Sequence, residues 1–505
     1  MASWTAPVEN AILTLERPAV SARDAVATVT LLSAVALLIH GYHPYADDAA
    51  IYVAGIKKMV HPGMYGSDSV FITTHTKLSV FAHLFAGVVR YLHLPLEPLL
   101  FAAYMASLFV FLLACYTLST RLFQSSLGRW GATLAACTCM TMPVAGTALS
   151  LMDPYLTARS FSTPFSVFAL VAVIDRSWKR TVLWLALTAA MHPLMAIYAG
   201  AFLLTFHWID TGRLRTLAGA CLAAFVASGA IFVLTLHASY PDGYREAALS
   251  RSYFFLSQWQ WFEISGLVLP LVLMGFALRR ASKPIRDLCL ACIVVGGVTV
   301  AICTCFVHTN GSLLLARVQL LRNYQMIYLA GLLMLGGYLA YVAGERNRWS
   351  MAVLFTGLAV LMFAVQMRTY PASRHVEWPG AHPQNRWKQA FLWIRTNTPK
   401  DAFFAIDPDY TASSDEDTQG FRAIAERGVL ADHLKDGGVA AIFPALAPQW
   451  KAQRELESGI DHWTDAERIA RLRPAGVTWV LLAANTPTGL HCPYRNSRAQ
   501  VCELK

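Results

Sequence analysis

The sequence predicts a mostly α-helical, polytopic membrane bundle of about eleven spans, followed by a small extracytoplasmic α/β domain. The 505 residues are 56% hydrophobic and only 14% charged, whereas a soluble domain is about 45–50% apolar and about 25% charged. Apolar segments recur up to residue 366, and beyond it charged residues alternate with short apolar runs. We therefore divide the chain into a membrane domain, residues 1–366, and a C-terminal domain, residues 367–505.

The charge distribution argues against a nucleic-acid partner. The formal net charge is +10 at pH 7, but the sequence contains no basic run with interleaved aromatic residues. Most lysines and arginines instead lie between apolar segments, as in membrane proteins whose cytoplasmic turns are basic. The composition therefore indicates membrane lipid as a partner, and no nucleic acid.

The first part of the chain sets the orientation of the whole bundle. Arg17 and Arg23 precede the first span, Ala25–Ile39, and place the N-terminus in the cytoplasm. No small-residue cleavage site follows, so we interpret this span as an uncleaved anchor. The first outer loop, residues 43–77, then lies outside the cytoplasm. Residues 78–94 carry an arginine and two histidines, and we predict that they form an interfacial helix and not a span.

The remaining spans alternate so that each later cytoplasmic turn is basic, which supports the interfacial assignment. They are Leu99–Thr117, Trp130–Leu149, Phe161–Ile174, two helices within Thr181–Trp208 that are broken at His192-Pro193, Leu217–Leu236, Ile264–Leu278, Leu288–Phe306, Tyr324–Val342 and Met351–Gln366. The histidine at the break either satisfies free backbone groups there or serves as a ligand.

The C-terminal domain shows short strand and helix patterns. Strands are predicted at Phe403–Ile406, Val477–Leu482 and Gln500–Leu504, and helices at Trp387–Arg395, Phe421–Arg427 and Thr464–Leu472. Cys492 and Cys502 lie in this domain, outside the cytoplasm, and we predict that they form a disulfide. The other eight cysteines lie in apolar segments and are typical of small core residues.

An acidic pair, Asp47-Asp48, lies where the first span ends. Two carboxylates beside lipid are costly and are seldom placed there for packing. Their oxygens could hold a divalent cation, or one of them could act as a general base. The alternative is structural, because either residue could cap the helix that follows, Ala49–Met59.

Further polar residues gather on the same side of the predicted membrane. The catalytic candidates are Asp47, Asp48 and Asp153, and the substrate-binding candidates are Tyr52, Tyr155, Arg159, Arg251, Trp259, Arg317 and Arg322. Carboxylates and arginines on one face suit an anionic substrate, with arginines for a phosphate and acids for a metal or a proton.

Each of these candidates also has a structural interpretation. Asp153 with the proline after it is typical of a turn and helix start, and Arg159 could simply neutralise Asp153. Trp259 could belong to an interfacial aromatic belt. Arg317 and Arg322 could extend along the membrane surface to the interface. The functional interpretation rests on the shared side of all these residues.

This layout resembles the GT-C superfamily, the membrane glycosyltransferases that use polyprenyl-phosphate sugars, and the likeness covers most of the chain. The acidic pair Asp47-Asp48 after span one, Asp153 after span three, the hairpin broken at His192-Pro193 and the α/β tail carry the resemblance. Residues 391–402, FLWIRTNTPKDA, also look like the junction in bacterial members of uncertain function.

The resemblance implies an inverting transfer of a hexosyl or pentosyl group from a polyprenyl-phosphate sugar to a glycan, lipid or protein acceptor. One carboxylate of Asp47 and Asp48 would act as the base, and Arg317 or Arg322 would meet the donor phosphate. Asp153 would position the acceptor, or would hold Mg²⁺ or Mn²⁺ together with Asp48. The expected location is the bacterial inner membrane, with the C-terminal domain in the periplasm.

A second class of function is a transporter or flippase for a lipid-linked or anionic solute. A transporter is expected to have two halves with matching helix breaks, but the sequence shows one clear break, at His192-Pro193. A transporter is also expected to have charged residues near the middle of its spans, whereas here the charged residues cluster at the outer ends of the spans. Both observations favour the enzyme. A scaffold with a degenerate site is a weaker third possibility.

Overall fold

Long apolar helices build the first part of the chain, and a small sheet builds the last part. The structure is a computed structural model, and it describes residues 21–66, 69–279, 281–346, 348–410, 417 and 419–504. Within these residues, seven helices are long and apolar enough to cross a membrane. The chain is therefore a multi-pass membrane protein. Arg17, which we used to orient the first span, lies outside the described residues.

Sixteen α-helices and three short 3₁₀ helices, counted within the described residues, form the membrane part. In chain order the α-helices are α1 (Ala22–His40), α2 (Ala49–Val60), α3 (Val70–Thr76), α4 (Phe81–Leu92), α5 (Leu96–Leu122), α6 (Ser126–Thr138), α7 (Arg159–Ile174), α8 (Trp178–Met191), α9 (Pro193–Asp210), α10 (Leu214–Thr235), α11 (Tyr244–Leu249), α12 (Trp261–Ala277), α13 (Lys283–Phe306), α14 (Leu313–Arg317), α15 (Tyr324–Arg346) and α16 (Arg348–Thr369).

Ion pairs show which connecting segments lie at the same end of the bundle. Arg121, at the end of α5, pairs with Asp175, after α7, at 2.9 Å. Arg176 pairs with Asp210, at the end of α9, at 3.1 Å. Lys283, at the start of α13, contacts the same carboxylate at 2.5 Å. We call these five residues the basic end, and they belong to turns that the sequence predicts to be cytoplasmic.

The helix within residues 78–94, α4, is short and amphipathic. It has 12 residues, which span roughly 18 Å. One face, including Phe81 and Phe85, is buried in protein, while Leu84 and Tyr91 are exposed. This pattern fits a helix that lies along the membrane surface.

The third predicted span, Trp130–Leu149, is wrong at its C-terminal end. α6 ends at Thr138, and the described residues 139–158 contain no helix. Pro143 lacks a backbone N–H and disfavours helix in the residue before it, so the helix stops early. The segment folds back through a bridge between Pro143 and Ser150, and its apolar side chains are buried in protein. Burial in protein instead of lipid explains its span-like composition.

The predicted hairpin break at His192-Pro193 is present. α8 ends at Met191 and α9 begins at Pro193, which occupies the first helical position, where proline is tolerated. The His192 ring accepts a hydrogen bond from the Met195 N–H at 3.4 Å and so caps α9. His192 therefore satisfies the broken backbone.

A five-stranded mixed sheet forms the centre of the C-terminal domain. Its strands, in the spatial order β2-β1-β3-β5-β4, are parallel from β2 to β3, whereas β5 is antiparallel to both of its neighbours. The elements are α17 (Arg386–Asn397), β1 (Phe403–Ile406), α18 (Phe421–Ala425), β2 (Gly428–Val429), α19 (Lys435–Ile442), α20 (Ala447–Glu457), α21 (Asp465–Leu472), β3 (Trp479–Ala483), β4 (Tyr494–Arg495) and β5 (Ala499–Glu503). Cys492 and Cys502 are joined by a disulfide.

The C-terminal domain is docked on the first outer loop. The Tyr42 N–H donates to the His375 carbonyl at 2.9 Å, and Ala46 bridges to Gln419. Lys57 of α2 pairs with Glu426 at 2.7 Å. These contacts place the tail over the segment that carries the acidic pair, at the end of the bundle away from the basic end.

Candidate functional site

The side chains of the acidic pair do not cap the helix that follows them. Within the described residues, the Asp48 side chain accepts no hydrogen bond from the N-terminal backbone of α2. Asp47 has a φ of 47°, a left-handed conformation that aspartate tolerates better than most residues. This turn directs both carboxylates away from α2, so the capping interpretation does not describe what they contact.

Arg159 joins the first loop to the segment after α6. Its Nη1 donates to Asp48 Oδ2 at 3.0 Å, and its Nη2 donates to Asp153 Oδ2 at 2.9 Å. The Arg159 side chain is only 7% exposed. Since both acids share one guanidinium, they lie well within the roughly 15 Å that one small substrate spans.

The pKa values of the two acids that share Arg159 are shifted in opposite directions. Burial raises the pKa of Asp48, but the charges of Arg159 and Arg322 outweigh it, so the pKa lies below its usual value. Burial raises the pKa of Asp153 more than Arg159 lowers it, and the Asp48 charge adds to the rise. Asp48 is therefore the carboxylate that stays ionised to lower pH. Paired acids whose environments differ in this way are common in acid–base sites.

Asp47 and the second oxygen of Asp48 face the C-terminal domain. The Tyr155 hydroxyl donates to Asp47 Oδ2 at 2.9 Å. Lys435 of α19 contacts Asp47 Oδ1 and lies 3.2 Å from Asp48 Oδ1. All four oxygens of the acidic pair thus have partners, from three different segments of the chain.

Arg322 lies close enough to the acids for its charge to act on them, and one of its nitrogens has no partner among the described residues. Its charge acts on both Asp48 and Asp153, and its guanidinium lies 5.3 Å from the centre of the Tyr253 ring. Its Nε is buried and has no hydrogen-bond partner among the described residues. A buried guanidinium nitrogen without a partner is unusual in a purely structural network. The Arg322 Nε is therefore free to donate a further hydrogen bond.

Tyr52 and His75 form the wall of the site on the side of the first loop. Their rings pack edge to face with centres 4.8 Å apart. Burial lowers the pKa of His75 to about 4, against the opposing effect of Asp48, so its imidazole is neutral at pH 7. His75 Nδ1 is buried without a hydrogen-bond partner in the described part of the chain.

Three sequence-predicted site residues have other contacts. Arg317 interacts with the Tyr244 hydroxyl. Trp259 is 7% exposed and packs on Gly146, so it is a core residue and not part of a lipid-facing belt. Arg251 donates to backbone carbonyls of the C-terminal domain. Of the predicted arginines, Arg159 thus binds the acids and the charge of Arg322 acts on both of them, whereas the hydrogen bonds given for Arg317 and Arg251 go to other groups.

A small cavity borders the acidic pair on the side of the tail. Its volume is about 40 Å³, which is room for roughly three water molecules. Asp47 and Lys435 line it together with Tyr410, Gln419 and Asp432. Both polar atoms of the Gln419 amide are buried without hydrogen-bond partners among the described residues. The cavity therefore offers unused polar groups next to Asp47.

The acids do not form a suitable site for Mg²⁺ or Mn²⁺ in this arrangement. Asp48 and Asp153 are both turned toward Arg159, whose guanidinium lies where a shared cation would have to bind. Within the described residues, no group of three or more His, Cys, Asp or Glu side chains is placed to hold a metal ion. The residues present therefore fit a guanidinium better than a divalent cation.

Sequence reasoning missed Lys435 and His75. Lys435 is 388 positions from Asp47 and lies in the polar stretch DHLKD, where no spacing or periodicity marks it. His75 lies between threonines on the short helix α3. The one available signal was that His75 belongs to the same outer loop as the acidic pair.

Comparison with known proteins reaches only part of the tail. The family described as "Domain of unknown function (DUF6798)" matches residues 385–436. The matched stretch includes α17, β1 and the segment that ends with Lys435 and Asp436. No curated protein matches the chain.

Proposed function

We propose that the chain is a membrane glycosyltransferase of the GT-C type, which moves a sugar from a polyprenyl-phosphate donor to an acceptor hydroxyl with inversion. The main support is the cluster in which the buried Arg159 holds Asp48 and Asp153, while the charge of Arg322, whose Nε has no partner among the described residues, acts on both acids. Such a cluster offers a base for a hydroxyl and a cation for a phosphate at one place.

In the proposed step, the Asp48 carboxylate takes the proton of the acceptor hydroxyl while the acceptor oxygen bonds to the anomeric carbon of the donor sugar. The bond from that carbon to the phosphate oxygen breaks, and its electron pair leaves with polyprenyl phosphate. Arg322 stabilises the charge on the departing phosphate. Attack and departure occur on opposite faces of the anomeric carbon, so its configuration inverts.

The other residues of the cluster have positioning roles in this scheme. Asp153 and Arg159 hold the Asp48 carboxylate in place through one guanidinium. The cavity beside Asp47 is where we place the acceptor, because the free amide of Gln419 can bind a hydroxyl there. At about 40 Å³ the cavity holds less than a whole sugar, so acceptor binding requires the tail or α3 to shift.

The proposal includes eleven crossings of a bacterial plasma membrane. Helices α6, α7, α8 and α12 have 13 to 17 residues and cross together with the seven long helices. The N-terminus and the basic end then lie in the cytoplasm, and the site and tail lie outside. Support comes from the ion pairs that gather Arg121, Asp175, Arg176, Asp210 and Lys283 at one end.

Thiol labelling tests this orientation. A cysteine placed at the exposed Gln124, near the basic end, should resist an impermeant maleimide in intact cells. One placed at the exposed Ser458, on the tail, should react. Peptide mass spectrometry assigns each label to its site, so the native cysteines do not interfere. Reaction at Gln124 with protection at Ser458 would invert the proposed orientation.

Mass spectrometry of lipid-linked sugars and envelope glycans tests the transfer itself. Cells without the chain should accumulate a polyprenyl-phosphate sugar and lack one glycosidic linkage, and the wild-type chain should restore that linkage. A transporter would instead leave the linkage-forming activity present in isolated membranes supplied with donor on both faces. If neither lipid-linked sugars nor glycans differ between the two strains, the glycosyltransferase proposal is wrong.

A further inference from the structure

Lys435 connects the C-terminal domain directly to the acidic pair. Its ammonium contacts Asp47 Oδ1 and lies 3.2 Å from Asp48 Oδ1. The Lys435 side chain is 18% exposed, whereas that of Asp47 is 49% exposed. Lys435 therefore brings a largely buried amino group to the acids, and it contacts the oxygen of Asp48 that Arg159 does not bind.

The backbone before Lys435 is held by an arginine of the membrane part. Arg251 Nη1 donates to the Leu434 carbonyl at 2.7 Å, and Nη2 donates to the His433 carbonyl at 3.0 Å. Arg251 is only 6% exposed. A buried guanidinium that serves two backbone carbonyls fixes the path of this segment. The outer loop before α12 thus positions the segment that carries Lys435.

The tail also holds the segment from its own side. The Trp450 indole N–H donates to the Asp432 carbonyl at 3.0 Å, and the Lys435 N–H donates to the Asp432 side chain. Asp436, next to Lys435, binds Arg422 at 2.7 Å. Three elements of the tail therefore determine where the Lys435 side chain begins.

We propose that Lys435 is a positioning residue of the transfer site, which orients the Asp47 and Asp48 carboxylates and makes the site complete only when the tail is docked. This inference rests on the proposed function. Arg159 and Tyr155 each hold one oxygen of the pair, and without Lys435 the remaining two oxygens lose a partner. Asp47, which is half exposed, could then turn toward solvent, and a misplaced carboxylate is a poor base.

The test compares Lys435→Met, Lys435→Arg and a matched control. Lys451→Met is the control. Lys451 also joins the tail to an outer loop, but its partner is Asp242, at 2.9 Å, and not the acidic pair. The first readout is the glycosidic linkage formed in cells that lack the native chain. The second is the modification of Asp47 and Asp48 in the purified protein by a water-soluble carbodiimide and glycine amide, measured by peptide mass spectrometry.

We expect Lys435→Met to lower product formation about 100-fold, as a misplaced catalytic group does, and to raise carbodiimide modification of the acidic pair. Lys435→Arg keeps the charge and should restore at least about a tenth of the activity. Lys451→Met should behave as wild type in both readouts. Thermal unfolding in detergent shows whether each variant is still folded. A loss of activity in a folded variant is then not caused by unfolding, and the Lys435→Arg variant, which preserves the ion pairs, serves as the folded reference.

Two results would overturn the positioning role and leave the proposed function intact. One is full activity of Lys435→Met in cells where Asp48→Asn is inactive. The other is carbodiimide modification of the acidic pair that is unchanged by Lys435→Met. If Asp48→Asn is also fully active, the proposed function itself fails. The activity of the Asp48→Asn variant therefore tells this outcome apart from the first two.

Discussion

The two ends of the bundle use the same residue types in different environments. At the basic end, Arg121 and Asp175 form an ion pair whose side chains are 35% and 29% exposed. At the site end, Arg159 is 7% exposed and binds Asp153, which is 8% exposed, as well as Asp48. Exposed ion pairs contribute about 0–1 kcal/mol, whereas buried charges depend on their partners for several kcal/mol.

The difference in exposure separates charges that only orient the bundle in the membrane from charges that have a further role. The basic end needs only positive charge near the bilayer surface, and the exact pairing is of little consequence. The site end buries Asp153 and partly buries Asp47 and Asp48, which is costly unless each has a cation. Arg322 adds a third cation beside Arg159 and Lys435, and its buried Nε has no hydrogen-bond partner among the described residues. An unpaired guanidinium N–H is what an anionic substrate would use.

The largest expected effect comes from Asp48→Asn at the site end. We expect transfer to fall at least about 100-fold, because removal of a general base costs this much or more. The protein should still fold, since Arg159 keeps Asp153 as a partner. The measurement is the rate of linkage formation in membranes that contain equal amounts of each protein.

The matched substitution at the basic end is Asp175→Asn. Its carboxylate binds Arg121 in a partly exposed pair, so we expect transfer and the free energy of unfolding to stay within about twofold and about 1 kcal/mol of wild type. If the two asparagine variants have the same activity, the distinction between the ends has no functional meaning. In that case Asp48 would have only a structural role.

Replacing the arginine at each end compares their contributions to stability. Arg159→Met should lower the free energy of unfolding by about 3–5 kcal/mol, because it leaves the buried Asp153 without its cation partner. Arg121→Met should lower it by no more than about 1 kcal/mol. Thermal unfolding of both variants in detergent measures the difference. Equal losses would mean that Arg159 is as well hydrated as Arg121.

Removal of the disulfide should have a smaller effect on stability, and the redox state of the two cysteines marks the site end independently. Cys492 and Cys502 are ten positions apart, and closing a loop of that length stabilises a domain by roughly 2–3 kcal/mol. Cys492→Ser should therefore make the tail more sensitive to proteolysis. Peptide mapping without reductant should find the two thiols joined, as an oxidising compartment requires. Two free thiols in that experiment would place the tail on the reducing side.

Much of the layout could be predicted from the sequence, because lipid and charge act on whole segments. The positions of the apolar helices, the break at His192 and the strand Phe403–Ile406 follow from local composition. The end of the third predicted span did not follow, because Pro143 begins a buried hairpin whose apolar residues face protein. A bilayer and a protein core select the same residues, so composition alone does not separate them.

The site could be predicted in part, for a related reason. Asp48 and Asp153 stood out because acids at helix ends near lipid need an explanation. Arg317 and Arg322 are five residues apart and have the same chemistry, so only the structure shows that the charge of Arg322 acts on the acids while Arg317 binds Tyr244. Lys435 comes from a second domain, and its place depends on docking contacts made by Arg251. Local sequence carries no record of such contacts.

The smallest expected effect is that of removing divalent cations. Arg159 lies between Asp48 and Asp153, and Lys435 contacts the other oxygen of Asp48, so the site end has no room for Mg²⁺ or Mn²⁺ in this arrangement. Transfer in membranes treated with EDTA should stay within about twofold of the untreated rate, because the charges of the acids are already balanced by protein cations. Added Mg²⁺ or Mn²⁺ should not raise it. Loss of activity in EDTA with recovery on Mg²⁺ would mean that Arg159 leaves the acids during turnover.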